Sequence, residues 1–495
     1  MRLLKNIENR FGVANGTLFL TACTLIIKAV GFAYKIPLYN AIGTNGAGLY
    51  QTVFALFSLL VAITATGVPS SMTKIIASGQ SPTKTLKAVL KLFLPIGLIF
   101  TLFLFFGARL ISSAQGNERS ASLYRLISIS LLFVSITACF RGYFQGLSNL
   151  NPTAISQLIE QVARAVLGVL FFLVIGGDNY KKTCYAILAV TLSELVSLVY
   201  ILFAFLLHVK KSKDLINNKV GQLNGLTTEY AKKDISIKSI LLVVIPLTAT
   251  TLLLPLASFI DSITVINSLK SYLGERANDL YGICAGSVQA IISLPVSILH
   301  CLSVGFLPKL SRCDQGGVGG GGKGDNSGKL YAQKFLCITA TLSFLASLAI
   351  IIFAPLITKI LFSGLNENGL IIRLMRLSST GVVFLSMLTA SNTLLLAMGK
   401  QSFPLISMPI GIVIKTVLNL TLIKNPKINI FGLIISDVGC YFVALFLNLL
   451  YIIYCSKKQK AGTSYENNTG RTRGWQGCTI FKRAYRNKIG KQGNM

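Results

Sequence analysis

The chain has 495 residues, of which 53% are hydrophobic and only 13% are charged, and its formal net charge is +31. Soluble domains carry about 25% charged residues. The composition therefore excludes an ordinary soluble fold and indicates a membrane protein.

Twelve apolar runs along the chain have the length that a helix needs to cross a bilayer. The runs are continuous, whereas the strands of a membrane barrel alternate between apolar and polar residues. Residues 354–362 either extend the ninth run or form a short re-entrant segment. The sequence predicts an all-α membrane protein of about 12 transmembrane spans, at roughly 13–34, 48–68, 86–107, 121–140, 153–176, 183–207, 240–266, 280–304, 331–354, 374–398, 403–423 and 428–455.

The basic residues concentrate on one side of the predicted membrane. With the N-terminus in the cytoplasm, most of the 47 Lys and Arg residues fall in cytoplasmic segments. This positive-inside bias predicts a multi-pass protein with both termini cytoplasmic. It explains the net charge without a nucleic-acid partner. The basic tail 456–495 is expected to contact anionic membrane lipids.

Signals for cofactor or metal chemistry are absent from the sequence. Ten cysteines and two histidines occur without a CxxC pair or a Cys/His ligand spacing, so no metal site and no cofactor are expected. Gly317–Lys323 matches half of a phosphate-binding loop, but Gly324 stands where Ser or Thr is required. No nucleophile–base pair is evident, and the sequence does not predict an enzyme.

Two stretches of the chain echo each other. Gly43 precedes Leu49-Tyr50, and Gly274 precedes Leu280-Tyr281 at the same spacing. A second pair of matching stretches has Gly146 and Pro152 before Arg164 in the fifth span, and Gly399 and Pro404 before Lys415 in the eleventh. Parallel repeats of six helices follow from the even number of spans, and they enclose a central cavity that opens to either side by rocking. The predicted lobes are 1–225 and 226–455, the second containing a glycine-rich cytoplasmic loop, 316–328; a basic polar cytoplasmic tail, 456–495, follows.

Several charged residues remain at membrane depth, where each costs about 2.5–3.5 kcal/mol. Lys28, Arg164 and Lys415 are predicted to make the cavity cationic, because Arg164 and Lys415 occupy matching positions in the repeats. Phosphate or pyrophosphate is the expected ligand.

The acids at membrane depth, and one further arginine, leave alternatives open. The acids are predicted to serve either as structural ion pairs or in ion coupling: Glu160, four residues before Arg164, and Glu194, Asp261 and Asp437. Arg141, at the cytoplasmic end of the fourth span, is expected to extend toward lipid headgroups, with a role in the site as the alternative.

These motifs resemble the polysaccharide-transport family that includes stage V sporulation protein B. That family belongs to the multidrug/oligosaccharidyl-lipid/polysaccharide (MOP) flippase superfamily and is related to the lipid II flippases. The resemblance covers about residues 10–455. The residues that carry it are Lys28–Phe32, Gly43, Gly48–Gln51, Gly67–Pro69, Lys74, Phe140–Gly146, Asn151-Pro152 and Asp261.

The resemblance implies a fold like that of the MATE transporters and alternating access between two lobes. It implies a flippase that moves an undecaprenyl-pyrophosphate-linked saccharide, such as a peptidoglycan or polysaccharide precursor, across the bacterial cytoplasmic membrane. Enzymes of cell-wall or polysaccharide synthesis are further expected partners. Lys28 matches a basic residue of the lipid II flippase motif, whereas Tyr34, beside Lys35, replaces a second arginine.

Two other functions are compatible with the sequence. A cation-coupled multidrug exporter of the same superfamily would place acids in the cavity, with Asp261 and Glu194 as candidates. A sporulation or cell-envelope assembly protein would not transport at all. The lysine in the first span favours the flippase.

Overall fold

The computed structural model describes residues 13–174, 177–219, 237–315, 325–365 and 367–469. Within these ranges the chain forms helices and turns and no strand. The helices are α1 (Val13–Val61), α2 (Gly67–Ala77), α3 (Pro82–Ala114), α4 (Ser120–Gly146), α5 (Asn151–Val174), α6 (Asn179–Lys219), α7 (Ile237–Leu273), α8 (Arg276–Tyr281), α9 (Gln289–Gln315), α10 (Asp325–Leu361), α11 (Asn368–Ala397), α12 (Pro404–Leu422) and α13 (Phe431–Thr469).

The described residues contain 11 helical stretches that are long and apolar enough to cross a membrane. The first stretch, Cys23–Ala77, has 55 residues, which as a helix would extend about 80 Å. A bilayer core is about 30 Å thick, so this stretch accounts for the first two predicted spans. The prediction of an all-α membrane protein with about twelve spans is confirmed.

The helix α1 is interrupted where the chain turns from its first span into its second. Gly43 has φ 69° and ψ −176°, a conformation that L side chains rarely adopt. Asn179 of α6 lies against this glycine, and a Cβ at Gly43 would be 2.9 Å from its Nδ2 atom. A larger residue at position 43 would therefore be opposed both by the backbone and by α6.

Two π-helical segments, Ala62–Thr66 and Gly282–Val288, lie in the second and eighth spans. The first joins α1 to α2, and the second joins α8 to α9. These spans correspond to each other in the two predicted repeats. Both segments depart from regular α-helical geometry. Such π-helical turns are rare and are found frequently at functional sites.

The largest buried core draws on both halves of the chain, with Tyr39, Tyr124 and Leu123 from the first half and Val265 and Tyr281 from the second. On α3, by contrast, large apolar side chains are exposed rather than buried: Phe103, Phe106 and Leu110 are 52%, 76% and 78% exposed. Apolar side chains with such exposure suit contact with lipid tails.

The helices run longer than the apolar runs that predicted them. α10 continues to Leu361, so residues 354–361 extend the ninth span, and the re-entrant alternative is wrong. α13 continues to Thr469, into the predicted tail. The predicted glycine-rich loop lies largely outside the described residues, since 316–324 are not described and α10 begins at Asp325.

The described residues up to Asn448 form one compact unit, and those from Leu449 onward belong to a second. The division of the chain into two six-helix lobes stays a prediction. For the description of the site, "first half" denotes residues 13–219 and "second half" residues 237–448.

Candidate functional site

Four charged side chains meet inside the first half, where α4, α5 and α6 pack together. Glu160 of α5 accepts from two arginines, Arg141 of α4 at 3.0 Å and Arg164 of α5 at 2.9 Å. Arg164 also reaches Glu194 of α6 at 2.9 Å. All four side chains are 15% exposed or less. Two guanidinium groups and two carboxylates give this network no net charge.

Serine hydroxyls complete the hydrogen bonding of this network. Arg141 donates to Ser156 and Ser197, both at 2.9 Å, and Arg164 donates to Ser193 at 3.3 Å. All three serines are fully buried. A buried ion pair offsets its desolvation cost only when its remaining donors and acceptors are satisfied, and the serines supply those partners.

A second charged cluster lies inside the second half, between α7, α12 and α13. The ammonium of Lys415 lies 2.5 Å from Asp261 Oδ2 and 2.5 Å from Asp437 Oδ1. Asn419, one turn after Lys415, donates to the other oxygen of Asp261 at 2.9 Å. Two carboxylates surround one ammonium, so this cluster has a formal charge of −1.

The two clusters are related in the way that the repeats predict. In each half a cation on the fifth span pairs with an acid on the sixth, Arg164 with Glu194 and Lys415 with Asp437. Each cation also has a second acid, Glu160 or Asp261. Both cations are thus bound to carboxylates, and their predicted role in binding an anion stays a prediction.

Lys28 has different surroundings from Arg164 and Lys415. Its side chain is exposed, and it forms no hydrogen bond or ion pair with any residue in the described ranges. Lys35 follows two turns later on the same face of α1, since seven residues return a helix to nearly the same direction. The charges of Lys28 and Arg164 both act on Lys35, and no described acid pairs with Lys35 either.

The short turn between α3 and α4 joins the first half to the second. Gln115 donates to Ser262 of α7 at 2.8 Å, and Asn117 donates to Asn278 of α8 at 2.9 Å. From α7, Asn267 donates to Ala114 O at 2.9 Å, and Lys270 donates to Gly116 O at 2.9 Å. We call residues 114–117 and these partners the turn clamp.

Beside the turn clamp, α1 and the start of the eighth span approach each other closely. A Cβ at Gly48 would lie 2.2 Å from Asn278 O, and one at Gly282 would lie 2.3 Å from Thr44 O. Both values are far below normal contact, so glycine is required at both positions. The halves are therefore in direct backbone contact at this end of the spans.

Sequence reasoning missed part of this site. Arg141 does not extend to lipid headgroups but lies 14% exposed in the first-half network. The turn clamp was also missed, although Gln115-Gly116-Asn117 is a polar turn between apolar spans and is the kind of signal that could have indicated it.

The sequence of this chain is similar to those of known membrane proteins. Residues 13–308 match the family model described as polysaccharide biosynthesis protein. The lipid II flippase MurJ of Bacillus subtilis is 27% identical over 482 residues, which cover 92% of this chain and 84% of MurJ. Stage V sporulation protein B of Bacillus subtilis is 30% identical over 312 residues, covering 60% of this chain and 58% of that protein.

Solved structures share the fold at low sequence identity. An inward-facing multidrug resistance MATE family transporter of the MOP superfamily superimposes with a TM-score of 0.69 at 15% identity, over 90% of this chain and 99% of that one. The outward-facing conformation of such a transporter gives 0.62 at 16% identity, over 91% and 98%. With its family match covering more than half of its length, the chain belongs to the polysaccharide biosynthesis protein family.

Proposed function

We propose that this chain is a flippase that moves an undecaprenyl-pyrophosphate-linked saccharide across the bacterial cytoplasmic membrane by alternating access. The observation that carries the proposal is the pair Lys28 and Lys35. Both lie in a membrane-spanning stretch, and neither is neutralised by a described acid. Cations at that depth without a counter-ion are costly, and an anionic substrate would supply the missing charge.

The charge of the lysine pair matches a substrate with two negative charges. The first-half network is neutral, the second-half cluster is −1, and Lys28 with Lys35 contributes +2. A pyrophosphate diester carries two negative charges, and lysine ammonium groups bind phosphate oxygens as point charges. Seven residues of helix separate the two lysines by about 10 Å, a separation that their long side chains can close around one pyrophosphate.

The relatives support the same substrate class. The match to the lipid II flippase MurJ extends over 92% of this chain. At 27% identity the saccharide carried by this chain is left open between lipid II and other undecaprenyl-linked sugars. Enzymes that make or consume such lipids are the proposed partners.

We place both termini in the cytoplasm and the turn clamp at the outer face. The basis is the excess of Lys and Arg in the N-terminal segment, the segment after the sixth span and the C-terminal tail. In this orientation the described arrangement has its outer end closed, and substrate would enter from the cytoplasmic leaflet.

A cation-coupled multidrug exporter is the second candidate, and one observation favours it. Asp261 and Asp437 exceed Lys415 by one negative charge, and a small cavity lined by Gln289, Ser378 and Tyr441 adjoins Asp437. An exporter would use these acids to bind a proton or a metal cation. The lysines of the first span would then repel a cationic drug, so we rank this function second.

The test is transport in proteoliposomes with labelled lipid II, with other undecaprenyl-pyrophosphate saccharides, and with a cationic dye under an imposed ion gradient. We expect at least one lipid-linked saccharide to reach the far leaflet and the dye to stay. Dye transport without lipid transport would establish the exporter and refute the flippase. Failure of both, with the protein folded and inserted, would favour the non-transporting assembly role.

A further inference from the structure

Lys415 fills the position that a bound metal ion would need in the second-half cluster. Its ammonium nitrogen lies 2.5 Å from Asp261 Oδ2 and 2.5 Å from Asp437 Oδ1. Hard metal ions such as Ca²⁺ lie about 2.3–2.6 Å from their oxygen ligands. An ion that bound both carboxylates would therefore have to lie where the ammonium already lies.

The oxygens around the ammonium are of the kind that binds a small metal cation. Besides the two carboxylates, Asn419 contributes an amide, whose nitrogen donates to Asp261 Oδ1 at 2.9 Å. The Oδ1 atom of Asn419 is buried and has no hydrogen-bond partner among the described residues. Because carboxylate and amide oxygens are the ligands of hard cations, the cluster has the composition of a cation site whose cation is attached to the chain.

The helix α12 approaches α13 closely next to this cluster, which holds the ammonium in place. A Cβ at Gly411, one turn before Lys415, would lie 2.8 Å from Cys440 O. Cys440 lies one turn after Asp437, so the close approach is next to both charged partners. Lys415 itself is 4% exposed. Helix packing as well as charge therefore keeps the ammonium between the two carboxylates.

The first half has a tethered cation at the corresponding position. Three buried or half-buried polar residues in each half are linked by hydrogen bonds, and matching members lie 251 positions apart: Arg141 and Asn392, Ser156 and Ser407, Ser197 and Asn448. The same offset relates Arg164 to Lys415. Each of these two cations contacts two carboxylates, so a basic side chain bound to two acids is a feature of both halves.

We propose that Lys415 is a built-in substitute for a metal ion, so that the second half binds no free metal cation between Asp261 and Asp437. The inference goes beyond the proposed flippase function and does not depend on the substrate. A Na⁺ gradient would have no place between these carboxylates at which to act. Removal of the ammonium should expose a latent site, because both carboxylates and the amide of Asn419 would then surround a space without a cation.

The experiment measures the melting temperature of the purified full chain in detergent. NaCl or LiCl is varied from about 1 to 100 mM, and choline chloride keeps the ionic strength constant. We expect Lys415→Ala to melt below the parent in choline chloride and to recover about 2–5 °C in NaCl or LiCl, since the metal ion restores the missing positive charge. The parent should melt at the same temperature in all three salts.

A second variant and a control make the result decisive. Lys415→Ala combined with Asp437→Asn retains one carboxylate and serves where the single variant does not fold; it should still respond to Na⁺, but less. Arg276→Ala removes a cation that pairs with Glu367 at the surface, and it should respond as the parent does.

Two outcomes would overturn the inference. One is an equal Na⁺ response in the parent and in Lys415→Ala, because the lysine would then not exclude the ion. The other is the absence of a response in both Lys415 variants, because the carboxylates would then form no latent site. Neither outcome involves transport, so the flippase function is tested separately.

Discussion

The side-chain amide of Asn278 donates to the backbone carbonyl of Asn45 at 2.8 Å and so joins the two halves of the chain. Its carbonyl oxygen accepts from Asn117 at 2.9 Å. One amide therefore connects α8 both to α1 and to the turn before α4. Because Gly48 and Gly282 are in backbone contact beside it, this end of the molecule cannot open unless these contacts separate.

Replacing Gly282 by alanine should disrupt this contact. The added Cβ would lie 2.3 Å from Thr44 O and 2.4 Å from Gly48 N, and relieving such overlap costs about 1–3 kcal/mol. We expect a lower melting temperature in detergent together with slower transport. Gly369→Ala is the matched control, because a Cβ at Gly369 in α11 would meet nothing within 4 Å. Equal behaviour of the two variants would contradict the close contact.

Asn278→Ala should weaken the closure without adding bulk. It removes the bonds to Asn45 and Asn117, each with a net contribution of about 1 kcal/mol. Spin labels at the exposed residues Glu118 and Glu275, in a background without native cysteines, should show a larger population at long distance. Asn425→Ala, in an exposed turn of the second half, is the control. An unchanged distance distribution in Asn278→Ala would show that the amide does not hold this end closed.

Lys28→Ala should abolish transport of the lipid-linked saccharide and leave stability near that of the parent. The reason is that Lys28 has no partner among the described residues, so its removal leaves no buried acid unpaired. Transport in proteoliposomes and thermal unfolding of the same preparation are the two measurements. Transport at the parental rate would remove the main support for an anion site on α1.

Lys415→Ala should behave differently, with loss of stability as well as transport. It leaves Asp261 and Asp437 without their shared cation, and an unpaired buried charge costs about 3–5 kcal/mol. Adding Asp437→Asn to Lys415→Ala should recover part of that stability, because only one carboxylate then remains. Thermal unfolding of both single variants and the double variant gives the coupling. Additive effects would show that the two residues do not interact.

Membrane orientation can be checked independently of transport. Reporter fusions after Asn218 and after Tyr454 should both report the cytoplasm, because these positions precede or follow strongly basic segments. The first fusion tests the number of spans before position 218, and the second tests the total. Opposite signals from the two fusions would be incompatible with six spans between them.

The sequence predicted the helical membrane fold because each apolar run signals its own span, independent of tertiary contacts. The pair Glu160–Arg164 could also be read from the sequence, since four residues place both side chains on one helix face. Lys415 and Asp261 are 154 residues apart, and only helix packing brings them together. For the same reason Arg141, with no acid near it in sequence, was expected at the lipid surface.

The location of the charged partners has a consequence for synthesis of the protein. Arg141, Glu160, Arg164 and Glu194 come from three successive spans, so their charges can be neutralised soon after α6 leaves the ribosome. Asp261 gains its cation only after Lys415 has been synthesised, and at typical elongation rates the synthesis of the intervening residues takes roughly 8–30 s. During that interval α7 carries an acid with no cation, so its entry into the lipid depends on help from the insertion machinery.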